Sequence, residues 1–175
     1  MLKYAYIIIS RIPFQPNVNL PRHALRINVG FLLNAPLGYS RDIHFDYPQI
    51  QFDDDLQLTN FNATIRVSRT PQGILVQSDF KGDAGAVCAR CLTDTTQALH
   101  AEFSDLYAFN SRTTTESDLI LRDDANIDLE ELAREYLVLE MPISPLCKPD
   151  CKGLCPVCGE NLNQTTCEHV VKPTG

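Results

Sequence analysis

Every second side chain is apolar from Phe61 to Val67, with Phe61, Ala63, Ile65 and Val67 on one face and Asn62, Thr64, Arg66 and Ser68 on the other. A period of two belongs to a strand with one face buried. Thr70-Pro71-Gln72-Gly73 follows. Proline presets φ and glycine accepts a positive φ, so this is a turn, and residues 73–80 are expected to return as the second strand of a hairpin. Residues 25–33 read as another strand, and residues 97–109, with Leu99, Ala101, Phe103 and Tyr107 or Phe109, as a fourth. The period changes once, where Leu129, Leu132, Ala133 and Tyr136 recur at i, i+3, i+4 and i+7 and predict a helix with one apolar stripe. Asp128 and Glu131 are expected to pair as a cap at its start, and Pro142 to stop it near Met141. Residues 111–118 have no period and are expected to form a mobile loop.

These elements predict an α+β core over residues 25–144, mainly an antiparallel sheet or small open barrel with one marked helix. Residues 1–24 are expected to be a leader or a first strand. Their apolar run, Tyr4 to Ile9, is too short for the core of a signal peptide and has no small-residue cleavage site, and no later stretch approaches the ~20 apolar residues of a membrane span. Residues 145–175 have no apolar period at all, so this tail needs something other than a core to hold its shape.

Charge is uneven. Lys3, Arg11, Arg22, Arg26 and Arg41 face only Asp42 within the first 45 residues, whereas the rest is strongly acidic and brings the whole chain to a net charge of -7. A broad phosphate-binding face is therefore not expected beyond the N-terminal stretch. If RNA is touched, Arg22, Arg26 and Arg41 are the candidates. Lys148, Lys152 and Lys172 in the tail are balanced by Asp150, Glu160 and Glu168, with no aromatic to stack on a base.

The seven cysteines fall in two clusters, Cys88-Ala89-Arg90-Cys91 and then Cys147, Cys151, Cys155, Cys158 and Cys167, with His169 two residues beyond. A disulfide framework fits small secreted chains with even cysteine counts, and a redox dithiol fits one Cys-x-x-Cys at a helix start. Zinc fits better, because two residues between cysteines let both sulfurs of a tight turn reach one ion. In Cys155-Pro156-Val157-Cys158-Gly159 the proline stiffens the turn and Gly159 permits the positive φ that points N–H groups at sulfur. Seven cysteines and His169 are the eight ligands of two tetrahedral sites. One partition sets Cys155, Cys158, Cys167 and His169 against Cys88, Cys91, Cys147 and Cys151; another holds a single ion on four tail cysteines and leaves Cys88 and Cys91 as structural thiols. Loop entropy separates these by only about 2 kcal/mol. In the first partition zinc ties the tail to the turn between two strands. His23, His44 and His100 have no ligand partner nearby in sequence and are expected to be ordinary surface or strand residues. Gly153 is expected to take a left-handed turn, and Asn161 to do the same or to cap through its side chain.

Cys88-Ala89-Arg90-Cys91-Leu92, Pro145-Leu146-Cys147, Asp150-Cys151-Lys152-Gly153-Leu154-Cys155-Pro156, Cys158-Gly159 and Asn161-Leu162-Asn163 together resemble the YceD-like family, the large ribosomal RNA subunit accumulation proteins of bacteria and plastids. The resemblance runs from about Leu25 to His169. It implies a role in making or maintaining the large-subunit ribosomal RNA and brings no catalytic residues with it. Many relatives end in Cys-x-Cys where this chain has Cys167-Glu168-His169, and some keep the first Cys-x-x-Cys without the tail cysteines. The expected protein is a cytoplasmic, non-catalytic factor with one or two Zn²⁺, acting through ribosomal or assembly proteins. An RNA-binding zinc ribbon is the alternative, followed by a zinc hydrolase, which would need an open coordination position.

Overall fold

The computed structural model describes residues 23–53, 56–110 and 119–169. Residues 1–22 of the expected leader, Arg22 among them, and the expected loop at 111–118 lie outside them. The chain divides into two compact units, one containing Gly85–Gln97 and residues 141–169, the other residues 23–84 and Ala98–Glu140.

The larger unit is built on an open antiparallel meander in the order β2-β3-β4-β5: β2 Ser40–Phe52, β3 Leu56–Arg69, β4 Gly73–Val87 and β5 Asp94–Ala108. Thr70 and Gly73 close the β3–β4 turn through Thr70 N–H to Gly73 O (2.9 Å) and Thr70 Oγ1–H to the same carbonyl (2.8 Å). Only glycine fits at 73, because a Cβ there would run into the Tyr107 carbonyl.

The buried face of β3 changes phase along the strand. Leu56 and Leu58 are buried, then Phe61, Ala63, Ile65 and Val67. A bulge between Thr59 and Asn62 in the β3–β4 register, with Asn60 at φ +51°, supplies the extra residue that makes the switch. Across the sheet, successive rings of Tyr47, Phe61, Phe80 and Phe103 lie 6.5, 5.9 and 5.3 Å apart. Tyr136 of the helix α2, Glu130–Leu139, stacks on Phe103 at 4.7 Å, and Ala133 and Leu137 of the same helix are buried. The apolar stripe is thus the face that covers the sheet.

Two expectations are corrected. Residues 25–33 do not form one strand. Arg26–Asn28 is a three-residue strand, β1, paired with β6 at Asn126–Asp128, and Gly30–Leu33 is a single helical turn, α1. Asn28 Oδ1 accepts the Gly30 N–H (3.1 Å), a local bond that turns the chain out of the strand. The expected cap also differs. Asp128 is used as the last residue of β6; its carboxylate accepts the Glu130 N–H (3.2 Å), while the N-cap position falls to Leu129, whose side chain makes no capping bond.

The smaller unit has almost no regular structure beyond the ends of β4 and β5 and one antiparallel bridge between Leu154 and Asn161. Its buried cluster is Cys88, Cys91 and Cys151, with Leu146 and Leu154 packed against them.

Candidate metal centre

The turn between β4 and β5 and the turn at 155–160 have the same backbone hydrogen bonds. Cys88 N–H bonds to Thr93 O (2.9 Å) and Leu92 N–H to Cys88 O (3.0 Å); Cys155 N–H bonds to Glu160 O (2.8 Å) and Gly159 N–H to Cys155 O (2.9 Å). The residue after the second cysteine has positive φ in both, +57° at Leu92 and +75° at Gly159. In this geometry N–H groups converge on the first sulfur of each turn. Burial works against ionising Cys88, but the N–H groups of Cys91, Cys147 and Arg90 outweigh it and bring the thiol down to about 6. The N–H groups of Cys158 and Val157 bring Cys155 down to about 6.

Each turn gathers two further ligands. Ala89 N–H to Pro145 O (2.8 Å) and Gln97 Nε2–H to Leu146 O (3.3 Å) hold the segment that carries Cys147. Cys147 Sγ is then 3.5 Å from Cys91 Sγ, and Cys151 Sγ is 3.7 Å from Cys88 Sγ. Around the second turn, Cys167 Sγ lies 3.2 Å from Cys158 Sγ, 3.5 Å from Cys155 Sγ and 3.1 Å from His169 Nδ1. The two groups are Cys88, Cys91, Cys147 and Cys151, and Cys155, Cys158, Cys167 and His169, each with all its donor atoms within 4.8 Å of one another. They match the two-site partition; the single-ion arrangement would need Cys147 or Cys151 turned towards the other tail cysteines.

Crowding has an electrostatic consequence. Contact with the Cys91 sulfur, then burial, pushes the Cys147 thiol up to about 12. The His169 N–H favours ionised Cys167, but the Cys158 thiol, burial and Cys155 outweigh it and raise the group to about 11. So many thiols at this separation cannot all ionise unless a cation sits among them, and soft, four-coordinate donor sets of this kind could hold metal ions.

Neighbouring groups fix the donors in place. Arg90 Nη1–H bonds to Cys151 O (2.9 Å), and Asn163 Nδ2–H reaches Cys151 Sγ (3.3 Å) while Asn163 Oδ1 accepts the Lys152 N–H (2.9 Å). Gly153 is left-handed at φ +76°, and Asn161 caps through Oδ1 to the Asn163 N–H (3.0 Å). Sequence alone had not singled out Asn163 as a partner of sulfur; nothing in its spacing marks it.

The histidines near in sequence to no ligand acquire neighbours by folding. His23 Nδ1 is 3.0 Å from Asp128, and His100 Nε2 is 3.0 Å from Asp79 and 3.3 Å from Glu102. All these groups are solvent-exposed, and Lys81 Nζ already sits 3.0 Å from Asp79. Of the arginines, Arg26 bonds Asp124 (2.8 Å) and Arg41 lies over the Phe31 ring at 5.3 Å.

The family model described as large ribosomal RNA subunit accumulation protein YceD matches residues 76–174, more than half of the chain and all eight candidate ligands. The chain belongs to the YceD family. Uncharacterized proteins of Mycobacterium tuberculosis and Mycobacterium leprae are 39% identical over 102 residues and 31% identical over 105; these alignments cover 56% and 58% of this chain and 49% and 48% of the relatives. A maize protein named large ribosomal RNA subunit accumulation protein YCED homolog 1, chloroplastic, is 44% identical over 43 residues, covering 25% of this chain and 15% of its own. The chain thus spans about half the length of the mycobacterial relatives. No solved structure matches. The family is named for accumulation of ribosomal RNA rather than for a reaction. Among the described residues no helix is long and apolar enough to cross a membrane.

Proposed function

We propose that this chain is a non-catalytic factor that supports accumulation of the large-subunit ribosomal RNA, with two structural Zn²⁺ ions that shape its smaller unit for contact with a ribosomal or assembly protein. Family membership carries the first half of this reading. The second half rests on the two donor groups, each supplying four protein ligands of the kind that fill a tetrahedral zinc shell. A reducing, cytoplasmic setting fits seven free thiols placed as ligands.

Protein contact fits better than RNA contact. Among the described residues of the smaller unit, Arg90, Lys148 and Lys152 are set against Asp94, Asp150, Glu160 and Glu168, and ligation by thiolates adds negative charge. Phosphate would be repelled, whereas a basic ribosomal protein would be attracted. The test is depletion and rescue. Loss of the protein is expected to lower large-subunit relative to small-subunit ribosomal RNA, and the wild-type gene to restore it, whereas Cys88→Ser restores it poorly. Normal large-subunit RNA on depletion refutes the reading. Elemental analysis of purified protein is expected to give two zincs per chain.

A further inference from the structure

The two quartets have the same turn but unequal protection. In the first, Cys88, Cys91 and Cys151 are buried against Leu146 and Leu154, so that Cys147 is its single accessible sulfur. In the second, only Cys155 is buried; Cys158 and His169 are exposed, Cys167 is half-buried, and the Cys158 and Cys167 sulfurs are in contact at 3.2 Å. Exposure and thiolate character are what make a cysteine oxidisable, and a second thiolate at contact distance resolves the product as a disulfide. The first quartet has no such pair of accessible sulfurs.

We propose that the second quartet is a peroxide-responsive zinc site, in which oxidation joins Cys158 to Cys167 and releases its metal while the first quartet keeps its own. This rests on the two-zinc reading above. The Cys158 thiolate attacks a hydroperoxide oxygen; an S–O bond forms, the O–O bond breaks, and the departing oxygen takes a proton to leave as water when the peroxide is hydrogen peroxide. The Cys167 thiolate then attacks the sulfenic sulfur, forming the S–S bond and expelling hydroxide, which takes a second proton. Two electrons pass from the sulfurs to the peroxide, giving one disulfide and two waters from two thiolates, one hydrogen peroxide and two protons. Cys155 and His169 alone remain, half of a tetrahedral shell, and Zn²⁺ passes to solvent. Residues 155–169, which have no apolar core of their own, lose their main constraint.

The experiment uses the full zinc-loaded chain, hydrogen peroxide and a chromogenic zinc indicator, with alkylation and peptide mapping at each point. Fewer than two zincs before peroxide is added defeats the two-zinc reading itself. Given two, the expected result is rapid release of one equivalent, a disulfide mapped to Cys158 and Cys167, and recovery of the second zinc after thiol reduction. Parallel release of both equivalents, a disulfide within the first quartet, or sulfinic acid formation without a disulfide overturns the proposal. Cys158→Ser provides the second measurement: the zinc that it retains is expected to stay bound at the same peroxide dose, and its release at the wild-type rate refutes the assignment.

Discussion

Replacing Asn163 separates what its side chain does for sulfur from what it does for the backbone. Its Nδ2–H group lies 3.3 Å from Cys151 Sγ, and its Oδ1 accepts the Lys152 N–H at 2.9 Å. A hydrogen bond to a charged acceptor contributes about 1.5–3 kcal/mol, and loss of a residue that supports a ligand typically lowers metal affinity about 10–100-fold. Asn163→Ala removes both bonds, together with the Nδ2–H bond to Asn161 Oδ1 (2.9 Å), and should weaken zinc at the first quartet by that factor. Asn163→Asp keeps an acceptor for Lys152 but sets a carboxylate against a thiolate. Two unit charges about 4 Å apart repel by roughly 4 kcal/mol at an effective dielectric of about 20, an upper bound here because zinc neutralises part of the sulfur charge. The expected order of affinity is wild type, then alanine, then aspartate. The assay is competition with a chelator of known affinity in a Cys158→Ser background, where the first quartet alone keeps all four ligands. Equal affinity for aspartate and wild type, with alanine weaker, would show that only the Lys152 bond matters and that the sulfur contact contributes nothing.

Three further outcomes follow from the fold. Phe61, fully buried between Tyr47 and Phe80, should cost about 3–5 kcal/mol on change to alanine, read by urea denaturation. Leu92 holds φ +57° and is 64% exposed, so Leu92→Asn should gain on the order of 1 kcal/mol in thermal unfolding, since asparagine tolerates that backbone better and little packing is lost. The Asp124 carboxyl is held below the usual range, chiefly by the Asn126 N–H at 3.0 Å, so its contribution is present above the unfolded pKa of about 3.9 and is lost as pH falls through the lower folded value. The difference in denaturation midpoint between wild type and Asp124→Asn should therefore be full at neutral pH and close below about pH 4.

Alternation found the second half of β3, the first half of β4 and nearly all of β5, because those segments keep one phase from end to end. It missed the first half of β3, where the Asn60 bulge moves the buried positions from even to odd numbers. It also missed β2. Ile43, Phe45 and Tyr47 alternate in one phase and Ile50 and Phe52 in the other, with Pro48 between them. Proline lacks the N–H that a central strand needs and is tolerated here because β2 is an edge strand, with Pro48 opposite the left-handed Asn60. The 25–33 segment failed for the opposite reason. Its apolar positions 25, 27 and 29 keep a period of two, yet the strand ends after three residues, where the Asn28 side chain bonds forward to Gly30 and Leu32 N–H turns back to Val29 O.

The eight residues were legible from spacing as candidate ligands, but their division into two groups was not, and the reason lies in the turns. Loop closure weighs the partitions almost equally. What separates them is that the Cys88 and Cys155 turns are copies of one backbone unit, each filled by its own two sulfurs and each needing a second arm. The arm for the first arrives through the Ala89 to Pro145 and Gln97 to Leu146 bonds, which are specific to that turn and place Cys147 beside Cys91. The Leu154 to Asn161 bridge folds the segment beyond Cys158 back instead, which leaves Cys167 and His169 for the second. The bonds within the first turn, Cys88 to Thr93 and Leu92 to Cys88, involve no residue of the tail. A relative with only the first Cys-x-x-Cys could therefore keep the turn by backbone bonding alone. Metal in this chain would then recruit residues 145–151 to a turn that the β4–β5 hairpin already forms, rather than create the turn itself.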